Sequence, residues 1–128
     1  MRTPISTDKA PLPRGPYSPA MIAHGPTVYV SSQGPIDPAT NQMVTGSFEA
    51  QAERVFENIS ALLEAAGASW GDVVKVSVFL ADFGNFAAMN EVYLRYVREP
   101  YPARTTLQAP VGQSAISVDC IAVLPDSA

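Results

Sequence analysis

Few residues in this chain are equipped to do chemistry. Within "YPARTTLQAP" (residues 101–110) a single arginine, Arg104, opens a run in which polar and apolar residues alternate. A guanidinium presents five N–H donors in a planar fork, so its distinctive chemistry is bidentate recognition of a carboxylate or phosphate. On a solvated strand face such a residue needs no further account. Turned into a buried face it requires an anion, because an unpaired buried charge is costly. Two anions could serve: Asp119, within "SVDCIAV", as a structural mate, or the carboxylate of a small ligand. Each charge-assisted hydrogen bond contributes ~1.5–3 kcal/mol, which is enough to anchor a metabolite.

Other chemistries are excluded by what the chain lacks. His24 is its only histidine and Cys120 its only cysteine, so no Cys/His cluster can hold zinc and no internal disulfide can form. A catalytic triad would have to use His24, beside the turn "HGPT", and Cys120 reads as a small buried hydrophobe. No GxGxxG, GxxxxGK[ST] or HExxH motif and no acidic calcium loop occurs, so neither a cofactor nor a metal is expected. The eight basic residues are scattered singly against twelve acidic ones, a net charge of −4. That is the reverse of the clustered positive field that displaces counterions from nucleic acid, and no nucleic-acid partner is expected. No apolar run approaches the ~20 residues of a membrane span, and "MRTPISTDKAP" has no signal-peptide core. A soluble, cytoplasmic protein with no membrane partner is the expectation, and 128 residues suit one domain over residues 1–128.

The elements that must position Arg104 follow from periodicity. Residues 1–16 are proline-rich and are expected to run over the surface. "YSPAMIAHGPTVYVSSQGPI" reads as two short strands, and "DPATNQMVTG" as a turn or small hairpin. Residues 47–66 form the strongest helix signal, with Phe48, Ala52, Val55, Phe56, Ile59, Leu62, Leu63 and Ala66 in one stripe and Gly67 closing it. "VVKVSVFLAD" is a strand with Val74, Val76, Val78 and Leu80 on one face and Lys75 and Ser77 on the other. A second helix is expected from Asp82 to Val97, with Phe83, Phe86, Asn90, Tyr93, Leu94 and Val97 facing inward. "RTTLQAPV" and "AISVDCIAVL" close the chain as strands. The order strand, strand, helix, strand, helix, strand, strand predicts an α+β fold, a sheet with both helices on one face.

Alternation then assigns the faces. With Leu107, Ala109 and Val111 toward the helices, Arg104, Thr106 and Gln108 fall on the helix-free side, together with Ser31, Lys75 and Asp119. Tyr29, Ile121 and Val123 share that side. A partly apolar open face predicts burial against another copy of the chain.

Taken together, "GPYSPA", "VYVSSQGPIDP", "QAERVFENISALLEAAG", "DVVKVSVFLADFGNFAAMNEVY", "YPARTT" and "VDCIAV" resemble the RidA/YjgF family from about residue 8 to residue 124. The resemblance implies a chorismate-mutase-like, YjgF-like mixed sheet with two helices, assembled as a homotrimer with ligand clefts between subunits. It implies hydrolysis of enamines and imines such as 2-aminoacrylate and 2-iminopropanoate to a 2-oxoacid and ammonia. Carried over by position, Arg104 grips the substrate carboxylate, and Tyr17, Ser31, Thr106 and Asn90 join it in binding. Thr106 stands where the family often has cysteine. Asp119 stands where the family's best-known deaminases have the glutamate that serves as general acid or base, and it is one methylene shorter. The other reading is a trimeric paralogue that binds a small carboxylate metabolite or deaminates a pathway-specific compound of aminomuconate type. The endoribonuclease activity attributed to some members is disfavoured by the charge balance.

Overall fold

The structure, a computed structural model, describes residues 1–125. Ser47 starts α1 (Phe48–Ala65): its hydroxyl accepts the Ala50 N–H at 3.1 Å, and Glu49 complements the positive helix end. Gly67 ends it at φ +84°, a left-handed conformation in which a side chain would be strained, and the Ala68 N–H returns to the Leu63 carbonyl. Ala52, Val55, Phe56, Ile59 and Leu63 are buried. Leu62 and Ala66, expected in the same stripe, face outward, since each lies past the edge of the arc that meets the sheet.

The sheet is mixed. Its strands β3 (Thr27–Gln33), β6 (Val73–Leu80), β7 (Ala103–Gln108) and β8 (Ile116–Val123) lie in the order β3-β8-β6-β7. All neighbours are antiparallel except β6 and β7, which are parallel and joined through α2 (Phe86–Tyr93). Both helices cover one face, as expected. Val76, Val78, Leu80, Val118, Cys120 and Ala122 enter one core with the α1 stripe and with Met89, Val92 and Tyr93 of α2. Phe56 is its aromatic centre, with ring centroids 5.7 Å from Trp70, 6.0 Å from Tyr93 and 5.3 Å from Tyr96. The Trp70 Nε1–H donates to the Ser60 hydroxyl at 2.7 Å, so the one polar atom of the indole is satisfied.

Several expectations are corrected. The proline-rich start contains a strand, β1 (Arg2–Ile5), paired with β2 (Ala20–Ala23); Pro4 and the lack of apolar alternation hid it. The turn-forming excursion is, as one of its two readings expected, a small hairpin of β4 (Ile36–Asp37) and β5 (Gln42–Met43). Irregular pairing between Val73 and Lys75 puts Val73 in the core, with Val74 only half-buried. The second helix is split: a 3-10 turn, Phe83–Asn85, precedes α2, which stops at Tyr93 and runs out in turns to Val97. Its buried face is Met89, Val92, Tyr93 and Val97, while Phe83 and Leu94 are exposed. No helix among the described residues is long and apolar enough to cross a membrane.

Candidate functional site

β7 is an edge strand, and its register decides where Arg104 points. Arg104 lies beside Val76 and Thr106 beside Val78 in the parallel pairing, and residues paired across a ladder share a face. Val76 and Val78 are fully buried under the helices. Arg104, Thr106 and Gln108 therefore face the helix side, which corrects the expected assignment, and Leu107 faces the open side, 39% exposed. One residue of phase reverses every side chain of a strand, and an edge strand with a single large aliphatic residue carries too weak a pattern to set that phase.

The guanidinium enters a pocket built by three elements. Its Nη1 donates to Asn90 Oδ1 on α2 at 2.7 Å. Its carbon lies 4.8 Å from the Tyr93 ring centroid and 5.7 Å from those of Phe86 and Tyr17. Phe86, Asn90 and Tyr93 are spaced four and three apart, so α2 turns all three toward one strand residue. Tyr17 is delivered by the segment before β2. Ser18 N–H donates to the Pro102 carbonyl at 3.1 Å and the Ser18 hydroxyl to the Tyr101 carbonyl, which ties "GPYS" to the entry of β7. Ser18 is itself buried.

Electrostatically the site is one-sided. Arg104 is half-buried, and the ion pairs among the described residues all belong to Arg95, with Glu49 and Glu53. Burial pushes the Arg104 pKa down, partly offset by Tyr93 and Tyr17. Burial pushes the Tyr93 phenol up, so it remains neutral. Two buried side-chain atoms among the described residues lack a hydrogen-bond partner, Tyr93 Oη and Thr106 Oγ1, and both residues belong to this cluster. A cavity of about 250 Å³ is lined by Tyr17, Phe83, Phe86, Arg104 and Thr106. Two larger hollows, about 440 Å³ beside Trp70 and Arg98 and about 320 Å³ beside Arg54 and Asn58, contain no such unpartnered buried atom.

The other expected residues form a second group. Asp119 lies on the open face, in one row with Ser77 and Thr105, and accepts from the Ser32 hydroxyl at 3.4 Å. Ser31 is exposed at a bulge between Val30 and Gln33, where the pairing with β8 slips. Lys75 Nζ donates to Thr105 Oγ1 at 2.9 Å on the same face. Within one chain Asp119 is thus on the opposite side of the sheet from Arg104, with β6 between their strands, and it is not the structural mate of the guanidinium. Asn90, expected among the ligand contacts, is placed against the guanidinium. Sequence reasoning missed the ring-stacking roles of Phe86 and Tyr93, which read as core positions, and the Ser32 contact, which depends on the bulge. Cys120 is buried, and its thiol is pushed up to about 12, first by burial and then by Asp119. Among the described residues no group of His, Cys, Asp and Glu could hold a metal ion.

A mixed sheet backed by two helices, with an arginine held among rings at its parallel edge and in no ion pair with the described residues, defines this α+β protein. The family model described as Endoribonuclease L-PSP matches residues 7–124. A RutC family protein of Pyrococcus abyssi is 53% identical over 104 residues, covering 81% of each chain. A 2-iminobutanoate/2-iminopropanoate deaminase of Dermatophagoides farinae is 46% identical over 103 residues, 80% of each. The crystal structure of RidA from an Antarctic Psychrobacter superimposes with a TM-score of 0.73 at 44% identity, over 95% of this chain and 99% of that one. The chain belongs to the RidA/YjgF family, whose model carries the L-PSP description.

Proposed function

We propose that the protein hydrolyses 2-imino acids and their enamine tautomers, of the 2-aminoacrylate/2-iminopropanoate type, to a 2-oxoacid and ammonia. The observation that carries this reading is the Arg104 guanidinium, half-buried, oriented by a neutral Asn90 and without an anionic partner among the described residues. The substrate carboxylate supplies that partner in a bidentate fork. Protonation at C3 converts the enamine to the imine. Water then adds to C2 of the protonated imine, one proton passes from the added oxygen to nitrogen, the C–N bond breaks, ammonia leaves, and the C=O bond forms as the remaining hydroxyl proton is released, balancing the proton taken up to form the protonated imine. A carboxyl group that relays those protons contributes ~10²–10⁴-fold.

Asp119, beside Ser32, is the carboxyl we assign to that relay. It reaches Arg104 only if the β7 edge of one copy packs on the open face of another, where Tyr29 (76% exposed) and Leu107 are also available for burial. A homotrimer with clefts between subunits satisfies that requirement. The relatives named as deaminases support the reaction class, and the location of Ser31, Ser32 and Asp119 on one face supports a shared site.

The test uses imines generated in solution by an amino-acid oxidase, with 2-oxoacid release followed in competition with semicarbazide trapping. Wild-type protein accelerates 2-oxoacid release; no acceleration refutes the reaction. Arg104→Ala and Asp119→Ala are each impaired alone, and unfolding and refolding them together restores activity, because mixed assemblies contain interfaces with both side chains intact. Lack of restoration, with each variant folded, refutes the shared site.

A further inference from the structure

Phe83 is an aromatic residue whose exposure the fold does not explain. It is 42% exposed, yet its ring stacks on Phe86 at 4.9 Å and 11° between planes. Its backbone is pinned at two points. The Phe83 N–H donates to Gln108 Oε1 at 2.8 Å, and Asp82 caps the turn by accepting the Gly84 N–H at 2.8 Å. Gln108 lies on the same face of β7 as Arg104 and Thr106, so one strand holds the clamp, an unpartnered hydroxyl and the anchor of an aromatic wall in series. At ~3.3 Å per residue, Arg104 and Gln108 are ~13 Å apart at Cα. Phe83 and Phe86 line one cavity with the guanidinium, whose carbon lies 5.7 Å from the Phe86 ring centroid.

This order matches a 2-imino acid read from its carboxylate: the carboxylate on Arg104, the C2 substituent near Thr106, the side chain along Phe86 and Phe83. A three-carbon imino acid has six heavy atoms, each occupying less than the ~30 Å³ of a liquid water. It leaves unfilled part of a cavity of about 250 Å³, and it offers the exposed Phe83 ring nothing to cover it. A planar apolar side chain covers it, since offset stacking adds to the area buried.

Building on the imine-hydrolysis reading, we propose that Phe83 is a specificity-determining residue that selects 2-imino acids with a planar apolar side chain, aromatic ones above all. The stacked pair Phe83–Phe86 is the wall of the side-chain subsite, and Gln108 is the positioning residue that fixes its distance from Arg104.

The experiment compares the imines of phenylalanine and alanine as substrates, and phenylpyruvate and pyruvate as ligands by calorimetry, for the wild-type protein and for Phe83→Ala and Phe83→Leu. Both the kcat/KM ratio and the affinity ratio favour the aromatic compound by about tenfold or more in the wild type. Phe83→Ala lowers both ratios at least fivefold, and Phe83→Leu lowers them less. Ratios near one, or ratios that Phe83→Ala leaves unchanged, overturn the proposal while imine turnover still stands. Absence of turnover with a Phe83-dependent preference for phenylpyruvate refutes the hydrolysis and leaves the subsite in place.

Discussion

Replacing Arg104 with lysine keeps the charge and removes the fork. In the structure one Nη is committed to Asn90 and the rest of the guanidinium has no acceptor among the described residues, so on the proposed function a substrate carboxylate receives two parallel bonds. Lysine offers a point charge on a flexible stem, and one of those two charge-assisted bonds is lost, at ~1.5–3 kcal/mol. With ~1.4 kcal/mol per factor of ten, kcat/KM for an imino acid falls by about 10- to 100-fold. The planar group's packing among the three rings is lost as well, which puts the upper end of that range nearer the measured value. The assay is the competition between enzymatic 2-oxoacid release and semicarbazide trapping, run across substrate concentrations, with thermal unfolding alongside to establish that the variant is folded. Arg104→Ala, which removes both bonds, falls further than Arg104→Lys. A folded Arg104→Lys within threefold of wild type refutes the carboxylate clamp, whatever the fate of the reaction.

Asn90→Asp turns the neutral acceptor into a permanent anion against Arg104; KM for the imino acid rises about tenfold or more with kcat changed less, and an unchanged KM in steady-state kinetics removes the orienting role. Asp119→Asn lowers kcat for imine hydrolysis by ~10²-fold or more, whereas Asp119→Glu extends the carboxyl by one methylene and raises turnover of the alanine-derived imine; a fully active Asp119→Asn places the proton relay elsewhere. Alkaline stability follows from Cys120, whose pKa rises from 9.0 in the open chain to about 12 when buried. The folded state then holds a proton that the unfolded state has released, so stability is complete below about pH 9 and falls at up to ~1.4 kcal/mol per pH unit above it. Tyr93 adds to the loss from its own unfolded value of 10.0 upward. Urea titrations of wild type and Cys120→Ala from pH 8 to 10.5 read the Cys120 share as a shallower slope in the variant; equal slopes refute it.

The α1 stripe, the burial of β6 and β8 and the placing of both helices on one face were legible because each rests on several apolar residues repeating at a fixed period. β1 was not: a four-residue strand interrupted by Pro4 has no period to read. The candidate site divides along the same line. "YPAR" singles out Arg104, but its direction depends on β7, whose apolar content is Leu107 and Ala103, and the parallel register with β6 overrode the reading. Phe86, Asn90 and Tyr93 were visible as one stripe on α2, though nothing local states that the stripe meets a guanidinium. That contact joins residues 14 positions apart through a crossover. The Ser32–Asp119 contact spans 87 positions and a bulge. Bulges leave no mark in a composition of serines and glutamine.

The separation of charges explains why the clamp is stable and still receptive. Moving an ion into protein costs several kcal/mol even after relaxation. Against that stand one charge-assisted bond to Asn90, ~1.5–3 kcal/mol, and ring contacts of ~0.5–2 kcal/mol each at 4.8 and 5.7 Å. These terms hold Arg104 in one orientation. None of them cancels its charge, because an amide oxygen and aromatic faces are neutral. A carboxylate at position 90 would satisfy the guanidinium more completely and would also occupy it. The Asp119 carboxyl, which could have done the same, is kept on the far face of the sheet. What remains at the mouth of the pocket is an oriented cation whose donors outside the Asn90 bond lack an anion among the described residues, beside a threonine hydroxyl that has no partner among them either. On the proposed function, the same features that leave the isolated site short of partners give a small carboxylate its binding free energy.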